Sequence, residues 1–313
     1  MFDVRSKMAE CSAFAMLALM GLVACGGDAS APSDPTKPPI SGPVVAFVAS
    51  QTGTKGLWVT DINGQSKRLL TLDTSAMQEP AWSPDGASLA FMLTLPDRIE
   101  IDVMNADGSG RTRIVNGRTN SADPAWSPDG QRLAFAGGPH GRDTIFVMNR
   151  DGSNVSVLTS SEWDDGQPAW SPNGQLIAFT SLRDQPVATS IWRRLFLMNA
   201  DGSNVRQVAP QVDLVAFSPS WSPDGAQLAF EARPSGAPDS DIYLYTLATG
   251  AVRQLTSTTD DDHHPTWSPD GTRIVFSRRI GTTLHLFSVA VDGSNLRQLT
   301  TGATDDLDPA FRP

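Results

Sequence analysis

Residues 80–86 read Pro-Ala-Trp-Ser-Pro-Asp-Gly, and this heptapeptide decides the fold because it recurs along the chain. Four further copies keep its pattern closely and begin at Pro124, Pro168, Pro219 and Pro265. A shortened sixth copy occupies residues 309–313, where Phe311 takes the place of Trp. The successive aromatic positions lie 44, 44, 51, 46 and 44 residues apart. A period of this length indicates an array of similar structural units.

Three more segments follow each heptapeptide in a fixed order, and all of them read as short strands. In one period an apolar run, Leu89–Phe91, precedes an alternating segment, Ile99–Val103, and a closing pair, Arg113-Ile114. Alternation of apolar and polar residues is typical of a half-buried strand. Asp-Gly or Asn-Gly pairs separate the last two segments, and we expect two-residue hairpin turns there. These pairs are Asn63-Gly64, Asp107-Gly108, Asp151-Gly152, Asp201-Gly202 and Asp292-Gly293.

Four strands per period and no helix predict an all-β fold, a six-bladed β-propeller of four-stranded antiparallel blades. The first period begins at Val44 without a Trp strand, and the residues around Phe311 supply only that strand. The two ends therefore complete one blade, and pairing of the N- and C-terminal strands is expected to close the ring. Closure matters because an open end exposes unpaired backbone groups.

The recurring Trp is predicted to be structural and to lie wedged between neighbouring blades. Truncation of a buried residue of this size typically costs about 3–5 kcal/mol. The Ser-Pro-Asp-Gly that follows it is predicted to be a turn, in which Pro fixes φ, Asp caps the turn and Gly takes the left-handed conformation.

The first 24 residues are typical of a secretory signal peptide, because Arg5 and Lys7 precede a short apolar run. Leu22-Val23-Ala24-Cys25 resembles the bacterial lipobox and predicts lipidation of Cys25; the alternative is an ordinary signal with an incidental Cys. Residues 25–43 contain five prolines and read as a tether, which leaves residues 44–313 for the propeller. We expect export and membrane contact through the lipid only. Gly26, by resemblance to enteric sorting rules, favours the periplasmic face of the outer membrane.

The formal net charge is −10, which argues against two classes of partner. Nucleic acids and anionic lipid surfaces both attract basic proteins. Cationic peptides and metal ions remain compatible with this charge. Cys11 and Cys25 both precede the propeller, so its stability is expected to come from packing without a disulfide, and we expect a monomer.

A ring of variable residues is expected around the central channel. The heptapeptide strand is predicted to lie innermost, so the residue before its first Pro faces the channel mouth. These residues are Glu79, Asp123, Gln167, Ser218, His264 and Asp308. Three interpretations stay open. The residues are solvated by water in the channel, or they bind a Lys or Arg side chain of a partner peptide, or they form a metal site with carboxylate and imidazole ligands.

The sharpest local cluster is the sequence at residues 260–264, Asp-Asp-Asp-His-His, in the loop before Trp267. Its candidate metal ligands are Asp262, His263 and His264. Asp164-Asp165 and Asp305-Asp306 occupy matching loops, so the three acidic loops form either a cation-attracting surface or a solubilising one. We expect no bound cofactor, although a divalent cation in the channel is compatible with the ring.

The Trp-Ser-Pro-Asp-Gly repeat followed by segments such as Ile-Ala-Phe resembles the TolB-type (PD40, WD40-like) propeller of the bacterial envelope. The resemblance covers roughly residues 44–313. It implies a scaffold that binds an envelope protein or peptide. Nucleophilic catalysis has no visible candidate, because the chain lacks a Gly-x-Ser-x-Gly elbow and a His-Glu-x-x-His motif.

The first expectation is therefore a non-catalytic envelope lipoprotein with a protein or peptide partner. The alternative is a metal-dependent enzyme, such as a polysaccharide lyase or hydrolase, with its site at the channel. Some similar propellers are polysaccharide lyases with His and Gln metal ligands at the channel. In this chain His264 and Gln167 occupy the corresponding ring.

Overall fold

The computed structural model describes residues 42–51, 54–114, 120–138, 142–160, 162–183 and 192–313. These residues form 24 strands in six four-stranded sheets. The predicted signal peptide, Cys25 and most of the tether lie outside the described residues. Within the described ranges, no helix has the length and apolar character needed to cross a bilayer.

The strands follow one another in chain order. They are β1 (Val44–Gln51), β2 (Thr54–Asp61), β3 (Arg68–Leu72), β4 (Ala76–Trp82), β5 (Ser88–Thr94), β6 (Ile99–Asn105), β7 (Thr112–Arg113), β8 (Asn120–Trp126), β9 (Arg132–Gly138), β10 (Thr144–Asn149), β11 (Ser156–Val157), β12 (Asp165–Trp170), β13 (Leu176–Ser181), β14 (Arg194–Asn199), β15 (Arg206–Gln207), β16 (Leu214–Trp221), β17 (Gln227–Pro234), β18 (Asp241–Thr246), β19 (Ala251–Gln254), β20 (Asp262–Trp267), β21 (Arg273–Ile280), β22 (Thr283–Ala290), β23 (Arg297–Gln298) and β24 (Asp306–Phe311).

Each sheet is one blade, with its strands called a to d from the heptapeptide strand outward. Blade 1 contains β24 and β1–β3, blade 2 β4–β7, blade 3 β8–β11, blade 4 β12–β15, blade 5 β16–β19 and blade 6 β20–β23. The antiparallel order places the b–c loops and the d-to-a connections on one face. We call this the entry face.

Blade 1 closes the ring by joining the two ends of the chain. β24 pairs antiparallel with β1, with Val45 opposite Phe311 and Ala46 opposite Ala310. Val45 and Phe311 also lie in a buried cluster with Val275 of blade 6. The prediction of a six-bladed propeller closed by its terminal strands is confirmed.

The repeated Trp fills the space between adjacent blades. Trp126 of blade 3 lies in one buried cluster with Ile101 of blade 2, and its Nε1 donates to the Ala81 carbonyl at 3.1 Å. Trp82 and Trp221 donate equivalent bonds of 3.2 and 3.0 Å to their preceding blades. In these three positions the indole therefore joins blades both by apolar packing and by a hydrogen bond, whereas Trp170 and Trp267 join them by packing alone.

The Ser-Pro-Asp-Gly segment turns the chain from strand a to strand b. Ser83 Oγ donates to Asp85 Oδ1 at 2.5 Å and accepts from the Ser88 amide at 2.9 Å. The Gly86 amide donates to the Ser83 carbonyl, and Gly86 has a φ of +63°. The Ser Oγ bond to the third residue of the turn recurs in the other four complete heptapeptides.

The Asp-Gly pairs between strands c and d do not form the two-residue turns expected from the sequence. In blade 2 the Gly108 amide donates to the Asn105 carbonyl, and the Asn105 amide donates to the Ser109 carbonyl. Gly108 has a φ of +94°, whereas Asp107 keeps a negative φ. The loop is a type I turn completed by a left-handed glycine. A Cβ on Gly108 would lie 2.5 Å from the Leu70 carbonyl oxygen of blade 1, so packing also requires glycine.

In each acidic doublet before strand a, the first Asp bonds the preceding blade and the second pairs with a cation of its own blade. Asp261 Oδ1 accepts the Ser240 amide of blade 5 at 2.9 Å. Asp262 is fully buried and accepts bonds of 2.6 and 2.7 Å from Arg278, whose guanidinium lies over the Phe276 ring. The doublets Asp164-Asp165 and Asp305-Asp306 repeat both contacts, with Arg183 and Lys67 as the cations.

Candidate functional site

One position of strand a has a left-handed backbone in every blade. It is the residue before the first Pro of the heptapeptide, and all six such residues have φ between 49° and 53°. The register between strands a and b shifts at this position in each blade. A β-bulge re-aims a side chain, and a left-handed non-glycine residue is strained by roughly 1–2 kcal/mol. The repeat thus supplies six equivalent positions while leaving the residue type free.

All six residues expected at the channel mouth line one cavity of about 340 Å³. In blade order from 1 to 6 they are Asp308, Glu79, Asp123, Gln167, Ser218 and His264. Prolines and small residues of the heptapeptides complete the wall. The side chains of Glu79 and His264 keep 27% and 28% of their surface exposed, so the channel gives access to them.

The ring is electrically asymmetric. Asp308, Glu79 and Asp123 lie on blades 1, 2 and 3, and we call these three residues the acidic crescent. On the other side Gln167 Nε2 donates to Ser218 Oγ at 3.1 Å, and the Ser218 amide donates to Gln167 Oε1 at 2.9 Å. The side chains of the neutral half therefore hydrogen-bond within that half, and the acidic crescent is the part of the ring that can attract a cation.

His264 of blade 6 lies at one end of the acidic crescent. Its Nε2 is 3.3 Å from Glu79 Oε1, and its Nδ1 is 3.3 Å from Asp308 Oδ1. Burial lowers the pKa of His264, but the carboxylates of Asp308 and Glu79 outweigh this effect and hold the pKa well above its usual value. The imidazole is therefore protonated at neutral pH and neutralises part of the crescent.

Asp123 forms the other end of the crescent. Burial and the nearby charge of Glu79 raise the pKa of Asp123 to about 6. The Gln167 amide donates to Asp123 Oδ2 at 2.9 Å. This hydrogen bond and the charges of Arg193 and His264 lower the pKa of Asp123, but by less than burial and Glu79 raise it. A raised carboxyl pKa means that the ionised form is insufficiently compensated. A cation entering the crescent would supply the missing compensation.

Glu79, His264 and Asp308 are the residues that can hold a metal ion among those the structure describes. Their ligand atoms lie within 4.8 Å of one another. Two carboxylates and an imidazole suit a divalent transition metal ion. A proton and a metal compete for the imidazole, so the raised pKa of His264 opposes metal binding near neutral pH. The candidate ligand Asp262 takes no part, because both of its oxygens bond Arg278.

His263 belongs to a separate pair behind the ring. Its Nδ1 lies 3.1 Å from Glu231 Oε1. Burial raises the pKa of Glu231, but the hydrogen bond and charge of His263 outweigh burial and leave that pKa below its usual value. Glu231 is not among the site residues predicted from the sequence. The signal was its place after an apolar segment, where the aligned residues are Val48, Met92, Ala136, Thr180 and Ser277.

Comparison with known proteins gives a family. A model of the "TolB beta propeller domain" matches residues 37–194 and 187–313. The chain is 40% identical over 120 residues to the "Tol-Pal system protein TolB" of Bordetella pertussis. That stretch covers 38% of this chain and 27% of the relative, so the match spans little more than a quarter of that protein.

Two solved structures illustrate the shared fold. TolB from Acinetobacter baumannii has a TM-score of 0.76 and 24% identity, over 87% of this chain and 67% of that chain. An oligogalacturonate lyase in complex with manganese has a TM-score of 0.57 and 19% identity, over 82% of this chain and 73% of that chain. Likeness at these identities shows the fold alone. Because the family model matches nearly the whole propeller, the chain belongs to the TolB β-propeller domain family.

Proposed function

We propose that this chain is a lipid-anchored envelope protein whose propeller binds a partner protein at the channel mouth. The acidic crescent receives a Lys or Arg side chain of that partner. One observation carries the proposal: three carboxylates on consecutive blades line one cavity, and the pKa of Asp123 is raised there to about 6. Perturbed carboxyl groups in a cleft are typical of functional sites.

The electrostatics of the ring favour a cationic ligand over a neutral one. His264 lies against Glu79 and Asp308, at 3.3 Å from each, and leaves Asp123 with weaker compensation. A Lys or Arg beside Asp123 would lower the pKa of this carboxyl group and favour its ionisation. Binding near pH 6 should therefore release protons, which calorimetry in buffers of different ionisation enthalpy measures directly.

The envelope setting is supported by relatives and by sequence. Curated relatives carry the name "Tol-Pal system protein TolB", which favours a scaffold role among envelope proteins. The signal-like N-terminus and the lipobox-like sequence at Cys25 favour a periplasmic protein anchored to the outer membrane. Replacement of Cys25 by Ser should abolish labelling by radioactive palmitate and release the protein from the membrane fraction. Unchanged labelling would contradict the lipid anchor.

Capture from detergent-solubilised envelope tests the binding role. We expect the wild-type protein to recover a partner and the double variant Glu79→Gln/Asp123→Asn to recover at least tenfold less. The matched control, Asp97→Asn/Glu162→Gln, removes two exposed carboxylates from the entry face outside the cavity. Equal recovery by all three proteins, or no partner above background, would count against the proposal.

A metal-dependent enzyme is the second candidate function. The cluster of Glu79, His264 and Asp308 favours it, as does the fold shared with a manganese-bound oligogalacturonate lyase. Titration with Mn²⁺ followed by metal analysis should show stoichiometric metal that His264→Gln removes, together with cleavage of oligogalacturonate. Absence of bound metal at pH 8, where fewer protons compete, would exclude this candidate.

A further inference from the structure

Two exposed tryptophans lie on the entry face of a single blade. Trp163 is 37% exposed and Trp192 is 40% exposed, whereas the other tryptophans of the described chain are buried or half-buried. Trp163 precedes strand a of blade 4, and Trp192 precedes strand c of the same blade. We call these two residues the tryptophan rim. Large exposed aromatic groups near a cavity are typical of interaction sites.

A charged clamp holds the two tryptophans on neighbouring segments. Each Trp is followed directly by one member of an ion pair: Asp164 after Trp163, and Arg193 after Trp192. Arg193 Nη2 lies 2.7 Å from Asp164 Oδ2, and Arg193 Nη1 donates to the Asp164 carbonyl at 3.1 Å. Both side chains are at least three-quarters buried, so the clamp fixes the backbone beneath the tryptophan rim.

The same arginine connects the tryptophan rim to the acidic crescent. A Cβ placed on Gly166 would lie 3.2 Å from Arg193 Nη1 and 3.4 Å from Asp123 Oδ2, so these two groups flank the Gly166 backbone. Trp163 precedes the ring residue Gln167 by four positions, which is roughly 13 Å in an extended chain. The tryptophan rim and Asp123 are therefore within reach of one short peptide segment.

Blade 4 differs from the other blades at this place. Residues 182–193 join its strands b and c, whereas Gly281 and Thr282 alone join them in blade 6. These added residues account for the 51-residue spacing in the repeat, and Trp192 stands near their end. Trp192 thus belongs to an addition to the repeat, whereas Trp163 replaces an ordinary loop residue, such as Asp260 at the same place before strand a of blade 6.

We propose that the tryptophan rim is a second subsite for the same partner. It takes an aromatic or large apolar side chain three to five residues away from the Lys or Arg that enters the acidic crescent. This inference rests on the proposed function. The occupant is an extended segment of a partner protein, because charge complementarity requires a basic group at Asp123 and the tryptophan rim offers apolar contact area beside it. Because both tryptophans lie on blade 4, the segment is expected to run from Asp123 outward over the entry face of that blade.

Selection from a displayed library of random dodecapeptides tests this inference, with the full detergent-solubilised chain as bait. The wild-type protein should enrich peptides that contain a basic residue and an aromatic residue at this spacing. The variant Trp163→Ala/Trp192→Ala should keep the basic preference, lose the aromatic one and bind a selected peptide about tenfold more weakly. Asp123→Asn should instead lose the basic preference.

The control is Val155→Ala/Val157→Ala, which removes exposed apolar surface from the outer strand of blade 3. It should leave the enriched motif and the affinity unchanged. Enrichment of a basic residue without an aromatic partner, or an aromatic preference that survives loss of both tryptophans, overturns the second subsite and leaves the proposed function standing. No enrichment by the wild-type protein overturns both.

Discussion

At the scale of single residues, one position in each blade sets the chemistry of the channel. The backbone there is the same in all six blades, with φ near 50°, and the Pro that follows is invariant. Only the side chain differs, from Ser218 and Gln167 on one side to Asp123, Glu79 and Asp308 on the other. The repeat therefore fixes where these groups lie, and point changes can alter their charge without altering the fold.

Asp123→Asn is expected to stabilise the protein at pH 7.5 by up to about 3 kcal/mol, the free energy that corresponds to a pKa raised by about two units. The folded-state pKa of Asp123, about 6, lies above the usual unfolded value of about 3.9. The wild-type protein therefore gains stability as pH falls through 6, and the advantage of the variant should shrink towards pH 4.5. Guanidinium unfolding at pH 4.5, 6 and 7.5 measures the trend. A variant less stable than wild type at pH 7.5 would contradict the raised pKa.

His264→Asn is expected to destabilise the protein most at acid and neutral pH. The folded-state pKa of His264 is raised well above its usual value, so its stabilising charge is fully present below about pH 6.5. This contribution is lost as pH rises through the folded-state pKa. Thermal melts between pH 6 and pH 10 should show that the difference in melting temperature between the variant and the wild-type protein decreases as pH rises. A gap that does not change with pH would assign the effect to packing.

At the scale of strands, the contacts between blades come from the residues that flank each strand a. Trp126 reaches back to Ala81, and Asp261 reaches back to Ser240. These bonds connect consecutive blades, whose sheets share no strand pairing. The first Asp of each acidic doublet, which reads as surface charge in the sequence, thus links neighbouring blades.

Asp262→Ala is expected to reduce the free energy of unfolding by about 3–5 kcal/mol. The change leaves Arg278 as a buried cation without its carboxylate partner, since the two side chains are 0% and 5% exposed. Asp97→Ala is the matched control: it breaks an exposed pair with Arg98 and should leave the free energy of unfolding almost unchanged. Chemical denaturation at pH 7 compares the two. Equal effects would mean that the buried pair within blade 6 contributes no more to stability than an exposed surface pair.

At the scale of the whole molecule, stability depends on closing the ring. β24 and β1 pair although more than 250 residues separate them in the chain. Without this pairing, β1 would present a bare strand edge next to blade 6. Ring closure also brings Asp308 to within 3.3 Å of His264 and close to Glu79, so fold closure and assembly of the acidic crescent are the same event.

A disulfide between residues 46 and 310 tests this closure. Ala46 and Ala310 are direct partners in antiparallel register, and the propeller contains no natural cysteine. The variant Ala46→Cys/Ala310→Cys should form the bond and gain about 3–5 kcal/mol under oxidising conditions, and it should lose the gain on reduction. Each single variant serves as a control. Two titratable free thiols in the oxidised double variant would refute the register.

The sequence predicts the fold well because the same local signals occur in every period. Trp, the Ser-Pro-Asp-Gly turn and the alternating strands each specify one step of a blade, and five copies agree. It predicts the site less well. Glu231, Arg193 and the tryptophan rim do not repeat, so only a residue-by-residue alignment of the periods, or the structure itself, brings them to notice.

The sequence by itself determined the number of blades, the innermost position of the heptapeptide strand and the six variable positions at the channel. These properties follow from short-range patterns that each period encodes on its own. Only the tertiary structure decided that His264 contacts both Glu79, 185 residues away, and Asp308, 44 residues away. It alone decided that Asp262 bonds Arg278 and not a metal. Such contacts depend on distances across blades, which exist only after the ring has closed, and the repeat does not encode them.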